Sequence, residues 1–306
     1  MRIIFMGTPD FAVASLDALV QAGFEIVAVV TAPDKPAGRG QKLSESAVKK
    51  YATDHDLPVL QPVRLKDQTF LDQLRSYKAD LQVVVAFRML PVAVWDMPAK
   101  GTINLHASLL PAYRGAAPIN WAVINGEKQT GVSTFFLQHE IDTGNLIFSE
   151  SIPIGDNDTA GEVHDKLMVT GAKLLVKTVR AIEEGNYTET PQDEISGSTI
   201  THAPKIFKED CLINWSCPVH QVYNHIRGLS PYPAAYTIFK DKTFKIFSAD
   251  LSAEKPEKQP SEFLSDGKTF LKFACQDGWI SVKDVQLEGK KRMSVEEFLR
   301  GFRISE

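Results

Sequence analysis

Cysteine is scarce in this chain, and its spacing fits no known framework. The sequence contains three cysteines, Cys211, Cys217 and Cys275, and no Cys-x-x-Cys pair. An odd number of cysteines at these spacings makes neither a disulfide scaffold nor a zinc ribbon. We therefore expect three reduced thiols with structural roles.

Long apolar runs are also absent. A membrane-spanning helix needs about 18 or more consecutive apolar residues, and no such run occurs here. The start, Met-Arg-Ile-Ile-Phe-Met-Gly, lacks the length and the cleavage site of a secretory signal. These absences predict a cytoplasmic protein without a membrane contact.

An excess of positive charge is missing as well. The formal net charge is -4, so the whole molecule does not attract nucleic acid, and any RNA contact must come from a local basic segment. Residues 32–43 form such a segment, with Lys35, Arg39 and Lys42 among prolines and glycines. Connections in α/β units mostly run about 2 to 6 residues, and longer ones tend to be functional. We expect an irregular loop that contacts phosphate, with a solvated linker as the alternative.

The glycine fingerprint of a dinucleotide-binding fold is not present. A strand over Arg2–Met6 and a helix over Pro9–Ala22 are joined at Gly7 and lead to a second strand over Glu25–Thr31. A single glycine does not make Gly-x-Gly-x-x-Gly, whose glycines allow the cofactor's phosphates to approach the backbone. The pattern therefore argues against NAD or FAD.

The elements that are present predict two domains. Strands and helices alternate through residues 1–188, which indicates an α/β, Rossmann-like domain with a mostly parallel sheet. Residues 189–204 are polar and unpatterned, as in an interdomain linker. Short strands separated by Gly, Asp and Pro turns follow in residues 205–306 and predict a small OB-like β-barrel, a fold that commonly binds oligonucleotides.

One predicted strand, Thr102–His106, carries two polar side chains on the same face. Asn104 and His106 are separated by one residue, and side chains on a strand alternate between faces. Polar residues at the end of a strand in such a sheet indicate the carboxyl edge, where ligands bind. The alternative is a strand end whose polar groups satisfy the local backbone.

A second polar turn follows further along the chain. Asp142 begins an Asp-Thr-Gly turn, and His139 and Glu140 precede it. Asp142 is our candidate for a carboxylate beside His106, but such turns often serve only the backbone. His139 and Glu140 are competitors for the same role.

These residues carry a resemblance to a known family. The run Asn-x-His-x-Ser-Leu-Leu-Pro-x-Tyr-Arg-Gly from Asn104, together with Asp142-Thr-Gly, resembles the folate-dependent formyltransferases. The basic loop, the segment Tyr113–Pro118 and the barrel narrow this resemblance to the branch that acts on methionyl-tRNA. It covers nearly the whole chain. It implies an enzyme that transfers a formyl group from 10-formyltetrahydrofolate to initiator methionyl-tRNA for translation initiation, without a metal. We also expect a monomer.

The resemblance also implies roles for single residues. Asn104, His106 and Asp142 match the family's catalytic residues, and the basic loop matches the one that engages the tRNA acceptor end, with Arg39 its most important arginine. The expected folate contacts are Ser108, Leu109, Leu110 and Pro111, with Phe87, Met89 and Leu90 in the turn that lines the pterin pocket. That turn departs from the usual pattern, because it is shortened and carries Arg88 where the tRNA-specific branch has a tyrosine and a glycine.

The chemistry of formyl transfer fits these residue types. The reaction passes through a tetrahedral intermediate with an oxyanion, so it needs a donor aimed at that oxygen and a group that handles the amine's proton. Asn104 supplies an NH2 donor and His106 a second donor or proton carrier, while Asp142 would fix the tautomer of His106 and favour its charged form.

Two other functions stay open. A formyltransferase acting on an amino-sugar nucleotide would share the catalytic trio but generally lacks the Pro-Ala-Gly-Arg-Gly loop. A non-catalytic RNA-binding protein would need the loop and the barrel, but it would have no use for Asn104 and His106 on one strand face. Metal binding is disfavoured, since one His, one Asp and an amide make a poor zinc set.

Overall fold

The structure, a computed structural model, describes residues 1–37, 42–195 and 200–301. The chain divides into two compact units. The first consists of Met1–Gly115, Gly131–Ile152 and His164–His202, and the second of Ala116–Thr130, Pro153–Val163 and the chain from Ala203 onward. Both units are built from several segments. The predicted domains, in contrast, are two continuous stretches, residues 1–188 and 205–306. These boundaries stay a prediction.

Helices and strands alternate along the described ranges. The α-helices are α1 (Asp10–Gln21), α2 (Ala47–Asp54), α3 (Gln68–Ser76), α4 (Val92–Trp95), α5 (Pro118–Ile124), α6 (Ala160–Glu184), α7 (Val219–Gly228) and α8 (Val295–Gly301), with short 3-10 helices at Gln192–Glu194 and Glu209–Cys211. The strands are β1 (Arg2–Gly7), β2 (Glu25–Val30), β3 (Lys35–Ala37), β4 (Lys42–Ser44), β5 (Val59–Leu60), β6 (Leu81–Val85), β7 (Thr102–His106), β8 (Arg114–Gly115), β9 (Gln129–Phe136), β10 (Leu146–Pro153), β11 (His202–Ala203), β12 (Ala235–Phe239), β13 (Lys242–Ser252), β14 (Phe263–Ser265), β15 (Leu271–Ala274), β16 (Trp279–Leu287) and β17 (Met293–Ser294). None of the helices within the described ranges has the length and apolar character that a membrane crossing requires.

A seven-stranded sheet forms the centre of the first unit. Its order is β10-β9-β7-β6-β1-β2-β5. Strands β7, β6, β1, β2 and β5 are parallel neighbours, and β9 is antiparallel to β7. Strand β6 is apolar apart from Gln82 and is buried at all 5 positions, as expected of a central parallel strand. The carboxyl ends of β1, β6 and β7 therefore meet at one edge of the sheet, the edge where such folds bind ligands.

The second unit contains an antiparallel sheet. Its order is β12-β13-β16-β15-β14, with β17 against β16. Among the strands described, β12 and β14 lie at the two ends of this order, and the sheet is a curled half-barrel. Its core is aromatic, since the rings of Phe239, Phe244, Phe273 and Phe298 contact one another. The predicted fold class, a mostly parallel α/β sheet followed by a small OB-like β-barrel, is confirmed.

Helix α5 packs against α7 within the second unit. The Asn120 Nδ2 atom donates a hydrogen bond to the Gly228 carbonyl oxygen at 2.8 Å. A Cβ atom on Gly228 would lie 2.5 Å from Cγ1 of Ile124, so only glycine allows the two helices to approach this closely.

The basic loop differs from the prediction that prolines and glycines exclude regular structure there. Strands β3 and β4 pair antiparallel, with Lys35 opposite Ser44 and Ala37 opposite Lys42. The prediction was wrong for the ends of the loop because a two-stranded ribbon has outer edges, and a proline such as Pro36 is tolerated where its missing N–H is not needed by a neighbouring strand. Residues 38–41, which include Arg39, lie outside the described residues.

Candidate active site

Asn104 and His106 lie where the sequence places them, at the carboxyl end of β7. Strand β7 is held between β6 and β9, and Asn104 is aligned with Val84 on one side and with Phe135 on the other. His106 is 7% exposed, whereas Asn104 is half-buried. Since one residue separates them on the strand, both side chains lie on the same face of the sheet.

The two ring nitrogens of His106 have different surroundings. Nε2 lies 2.9 Å from the backbone carbonyl oxygen of Tyr113. A carbonyl can only accept, so Nε2 carries the hydrogen and donates it. Nδ1 faces the Oδ2 atom of Asp142 at 3.9 Å, a separation too long for a hydrogen bond. In the neutral ring, Nδ1 therefore holds a lone pair beside a carboxylate.

Asp142 is the acidic side chain that the fold brings to His106. It is 8% exposed, and its Oδ2 atom accepts a hydrogen bond from the Gly115 backbone N–H at 2.9 Å. The two competitors from the sequence, His139 and Glu140, are exposed, and the His139 ring packs edge-on against Trp95. The arrangement favours Asp142 over both as the partner of His106.

The side-chain amide of Asn104 has N–H donors that the described residues do not use. Within the described ranges, its amide has no hydrogen-bond partner, although both of its neighbours on β7, Ile103 and Leu105, are buried. A half-buried amide with two unused N–H donors can bind an oxygen of a ligand at this edge. This is the kind of donor that the chemistry of acyl transfer requires.

A buried glutamine supports the Asp142 turn, and the sequence analysis missed it. Gln192 is 4% exposed, and its Nε2 atom donates to the carbonyl oxygens of Asp142 at 2.9 Å and Gly144 at 2.8 Å. It lies in a stretch that was interpreted as a polar linker. No local pattern could have identified it, because its partners are about 50 residues away in sequence.

The expected folate segment after β7 is largely internal. Ser108, Leu110 and Pro111 are buried, and Leu109 is half-buried. The Ser108 hydroxyl donates to the Ala112 carbonyl at 2.7 Å, which shapes the loop itself. These contacts show a structural role for the side chains, and their role in folate binding stays a prediction.

The turn after β6 contains both exposed and anchored side chains. Met89 is 73% exposed, while Phe87 and Leu90 are half-buried and pack on a cluster of buried apolar residues. The Arg88 guanidinium donates to the carbonyl oxygens of Pro62 and Val63 and lies 5.6 Å from the centre of the Phe87 ring. Burial lowers the pKa of Arg88. Arg88 therefore ties this turn to the segment after β5.

The predicted tRNA-contacting residues are described only in part. Lys35 is exposed on β3, and the backbone of Lys42 is in β4. Arg39 lies outside the described residues. At the base of the loop, Lys49 Nζ bonds to Asp34 and to Glu45, at 2.5 and 2.7 Å.

A metal has no evident place in the site. Across the ranges that the structure describes, no group of three or more His, Cys, Asp or Glu side chains could hold an ion.

Comparisons with known proteins identify the family. A family model described as "Formyl transferase" matches residues 1–179, and one described as "Formyl transferase, C-terminal domain" matches residues 205–303. A methionyl-tRNA formyltransferase of Bacteroides fragilis is 54% identical over 312 residues, which cover 100% of this chain and 96% of that protein. The methionyl-tRNA formyltransferase of Flavobacterium johnsoniae is 50% identical over 310 residues, with 100% and 98% covered.

Two solved structures share the fold at low sequence identity. An N-formyltransferase from Helicobacter canadensis, in complex with folinic acid and dTDP-3-aminofucose, superposes with a TM-score of 0.68 at 21% identity over 95% of this chain and 99% of that one. A glycinamide ribonucleotide transformylase from Symbiobacterium toebii gives 0.53 at 18% identity, over 60% and 88%. These two likenesses concern the fold alone, whereas the matches of sequence are specific. The chain therefore belongs to the formyl transferase family, among the methionyl-tRNA formyltransferases.

Proposed function

We infer that this enzyme transfers a formyl group from 10-formyltetrahydrofolate to the amino group of initiator methionyl-tRNA, in the cytoplasm, for the initiation of protein synthesis. The observation that supports it most directly is the meeting of Asn104, His106 and Asp142 at the carboxyl edge of the sheet, with the His106 Nδ1 atom 3.9 Å from Asp142. The relatives named above, at 50–54% identity over the full chain, act on the same acceptor by name.

Asn104 binds the formyl oxygen in this proposal. When the amine attacks the formyl carbon, this oxygen gains negative charge, and a fixed N–H donor stabilises that charge more than it stabilises the neutral carbonyl. The amide of Asn104 has the donors for this task, and its strand holds it in position.

His106 moves the proton. The new bond joins the amine nitrogen to the formyl carbon, and the bond from this carbon to the folate nitrogen breaks. The amine must lose a proton, and the leaving nitrogen must gain one. The lone pair on His106 Nδ1 accepts the proton of the amine, and the imidazolium that forms lies beside the Asp142 carboxylate. The ring then gives this proton to the folate nitrogen as the bond to the formyl carbon breaks. Asp142 therefore acts through His106, as the group that orients and stabilises the charged ring.

In this proposal, different parts of the chain bind the two substrates. Residues 1–188 form the catalytic domain, with Ser108–Pro111 and Phe87, Met89 and Leu90 at the folate. Residues 205–306, after the linker 189–204, contact the tRNA. Lys35, Arg39 and Lys42 bind phosphates of the acceptor end. The protein acts as a monomer.

One assay tests the acceptor. Purified protein is incubated with 10-formyltetrahydrofolate and either methionyl-tRNA or a dTDP-linked amino sugar. The sugar is the second candidate because the Helicobacter canadensis enzyme, similar in fold, was crystallised with such a compound. We expect formyl-methionyl-tRNA and no formylated sugar. The reverse result would overturn the proposal.

A further inference from the structure

Gln192 makes four hydrogen bonds although it lies outside the predicted catalytic set. Its Nε2 atom donates to the carbonyl oxygens of Asp142 and Gly144, and its Oε1 atom accepts from Nε and a terminal nitrogen of Arg114, at 3.0 and 2.6 Å. The residue is 4% exposed. All of these partners belong to the first unit.

The side-chain amide of Gln192 has the donors and the acceptor that this position requires. It has two donors on one atom and an acceptor on the other, and both ends are used here. The arginine on the oxygen side and the two carbonyls on the nitrogen side fix the same orientation of the amide. A buried network with every member satisfied holds its parts rigidly, and one that loses a member leaves buried polar groups without partners.

The backbone held by Gln192 is tightly constrained at two positions. Asp142 has a φ of +56°, in the left-handed region that most residues with a Cβ atom avoid and that Asp enters more readily. Gly144 lies so close to β9 that a Cβ atom would be 1.7 Å from the Phe136 carbonyl oxygen. The two hydrogen bonds from Gln192 hold the turn at both of these residues. They therefore fix where the Asp142 carboxylate projects.

The Oε1 atom of Gln192, through Arg114, contacts a second segment of the site, Tyr113–Gly115. Arg114 lies between Tyr113, whose carbonyl oxygen accepts from His106, and Gly115, whose N–H donates to Asp142. Gln192 thus links two pieces of backbone, the segment around Arg114 and the Asp142 turn. These two pieces determine the separation of His106 and Asp142.

We propose that Gln192 is a positioning residue for formyl transfer, which sets the Asp142 carboxylate beside His106 by holding the Asp142–Gly144 turn and Arg114 together. The proposal rests on the proposed function, because it concerns the same reaction. It gives a catalytic purpose to a segment that sequence alone marks as a linker.

The first test compares three variants. Gln192→Met removes all four hydrogen bonds at similar volume, and Gln192→Glu keeps an acceptor for Arg114 but loses both donors to the turn. Gln82→Met is the matched control, since Gln82 is 1% exposed and its Oε1 atom accepts from Thr102. A misplacement of a catalytic group by about 1 Å can cost about 100-fold in rate. We expect a loss of this size in kcat for both Gln192 variants, KM values for both substrates within about 3-fold, and an unchanged kcat for the control.

The second test asks whether Gln192 acts through Asp142. Asp142→Asn is combined with Gln192→Met, and single-turnover rates are measured with saturating substrates. If the glutamine works by placing the carboxylate, its loss adds little once the carboxylate is gone, so the double variant equals Asp142→Asn. Rate losses that multiply would show a role independent of Asp142 and overturn the proposal.

The outcomes separate this inference from the function on which it rests. A wild-type enzyme that formylates no methionyl-tRNA would refute the proposed function. An active wild type together with a Gln192→Met variant of unchanged kcat would refute the role of Gln192 alone. If Gln192→Met fails to fold, the nearly isosteric Gln192→Glu decides: wild-type kcat in this folded variant would overturn the inference.

Discussion

At the scale of single residues, Asn104 has the most direct role in the proposed mechanism. Its two donors have no partner in the described ranges, so Asn104→Ala removes no hydrogen bond of the described fold but deprives the formyl oxygen of its donor. Loss of one such donor typically costs about 100- to 1000-fold in kcat. We expect this loss with tRNA binding intact, measured by turnover and by a separate binding titration. Asn186→Ala, at an exposed position after α6, is the control and should be as active as wild type. Near wild-type turnover in Asn104→Ala would contradict the assignment.

The acidic residue of the site can be tested by exchanging carboxylates for amides. Asp142→Asn keeps an acceptor for the Gly115 N–H, so the turn should form, but the amide cannot balance a positive His106 ring. We expect a severe fall in kcat and an unchanged melting temperature. Glu140→Gln, two residues away and exposed, should leave both unchanged. If the Glu140 variant loses activity and the Asp142 variant does not, the roles are reversed.

At the same scale, the sequence predicted that Asn104 and His106 share a strand face, but it did not predict the residue that holds the site together, Gln192. The alternation of side chains on a strand is local, so two polar residues one position apart could be placed on one face from the sequence. The choice between Asp142, His139 and Glu140 depends on burial, which the sequence left open. Gln192 could not be predicted at all, because its hydrogen bonds join segments that are distant along the chain.

At the scale of elements, the turn after β6 is held in place by one of its own side chains. The Arg88 guanidinium donates to two carbonyl oxygens after β5, so this turn is tied to the neighbouring segment. We expect Arg88→Ala to raise the KM for 10-formyltetrahydrofolate several-fold, because the turn that lines the proposed pterin pocket loses this tie. The kcat with saturating folate should change little, since the proposed catalytic residues are on β7 and the Asp142 turn.

Two controls sharpen this experiment. Arg88→Lys can replace only part of the interaction, because an ammonium group cannot reach two carbonyls and stack on Phe87 as a planar guanidinium does. It should give an intermediate KM. Arg75→Ala removes an arginine whose described partner, Asp72, is on the same helix and exposed, and it should leave the KM unchanged. An Arg88→Ala enzyme with the wild-type KM for folate would show that the turn does not depend on this residue.

The long strands and helices were predictable, whereas short paired elements were not. Strand β6 and helix α6 follow from apolar runs and helical periodicity. The β3–β4 pair has 3 residues in each strand and contains a proline, so its pairing depends on the register of the ribbon rather than on composition. The packing of helix α5 on α7 joins segments that are distant along the chain, so it is a property of the folded second unit.

At the scale of the whole molecule, charge decides how the acceptor is recognised. The net charge of -4 repels RNA, so a tRNA complex must depend on local cations. Each phosphate neutralised by such a cation releases counterions and lowers log K by about 0.7 to 0.9 per unit of log salt. Affinity for methionyl-tRNA should therefore fall steeply as salt rises. The KM for 10-formyltetrahydrofolate, measured in the same series, should depend far less on salt.

The basic loop should account for part of this dependence. We expect Lys35→Ala and Arg39→Ala each to flatten the slope by about one phosphate contact. Arg39→Ala should weaken binding more, and Arg39→Lys should restore it only in part, because guanidinium binds phosphate bidentately and ammonium does not. Binding is measured by titration with methionyl-tRNA at several salt concentrations, with the folate KM as the internal control for an intact site. A slope and an affinity that stay unchanged in both alanine variants would remove the loop from the tRNA interface, and they would favour a small acceptor such as a sugar nucleotide.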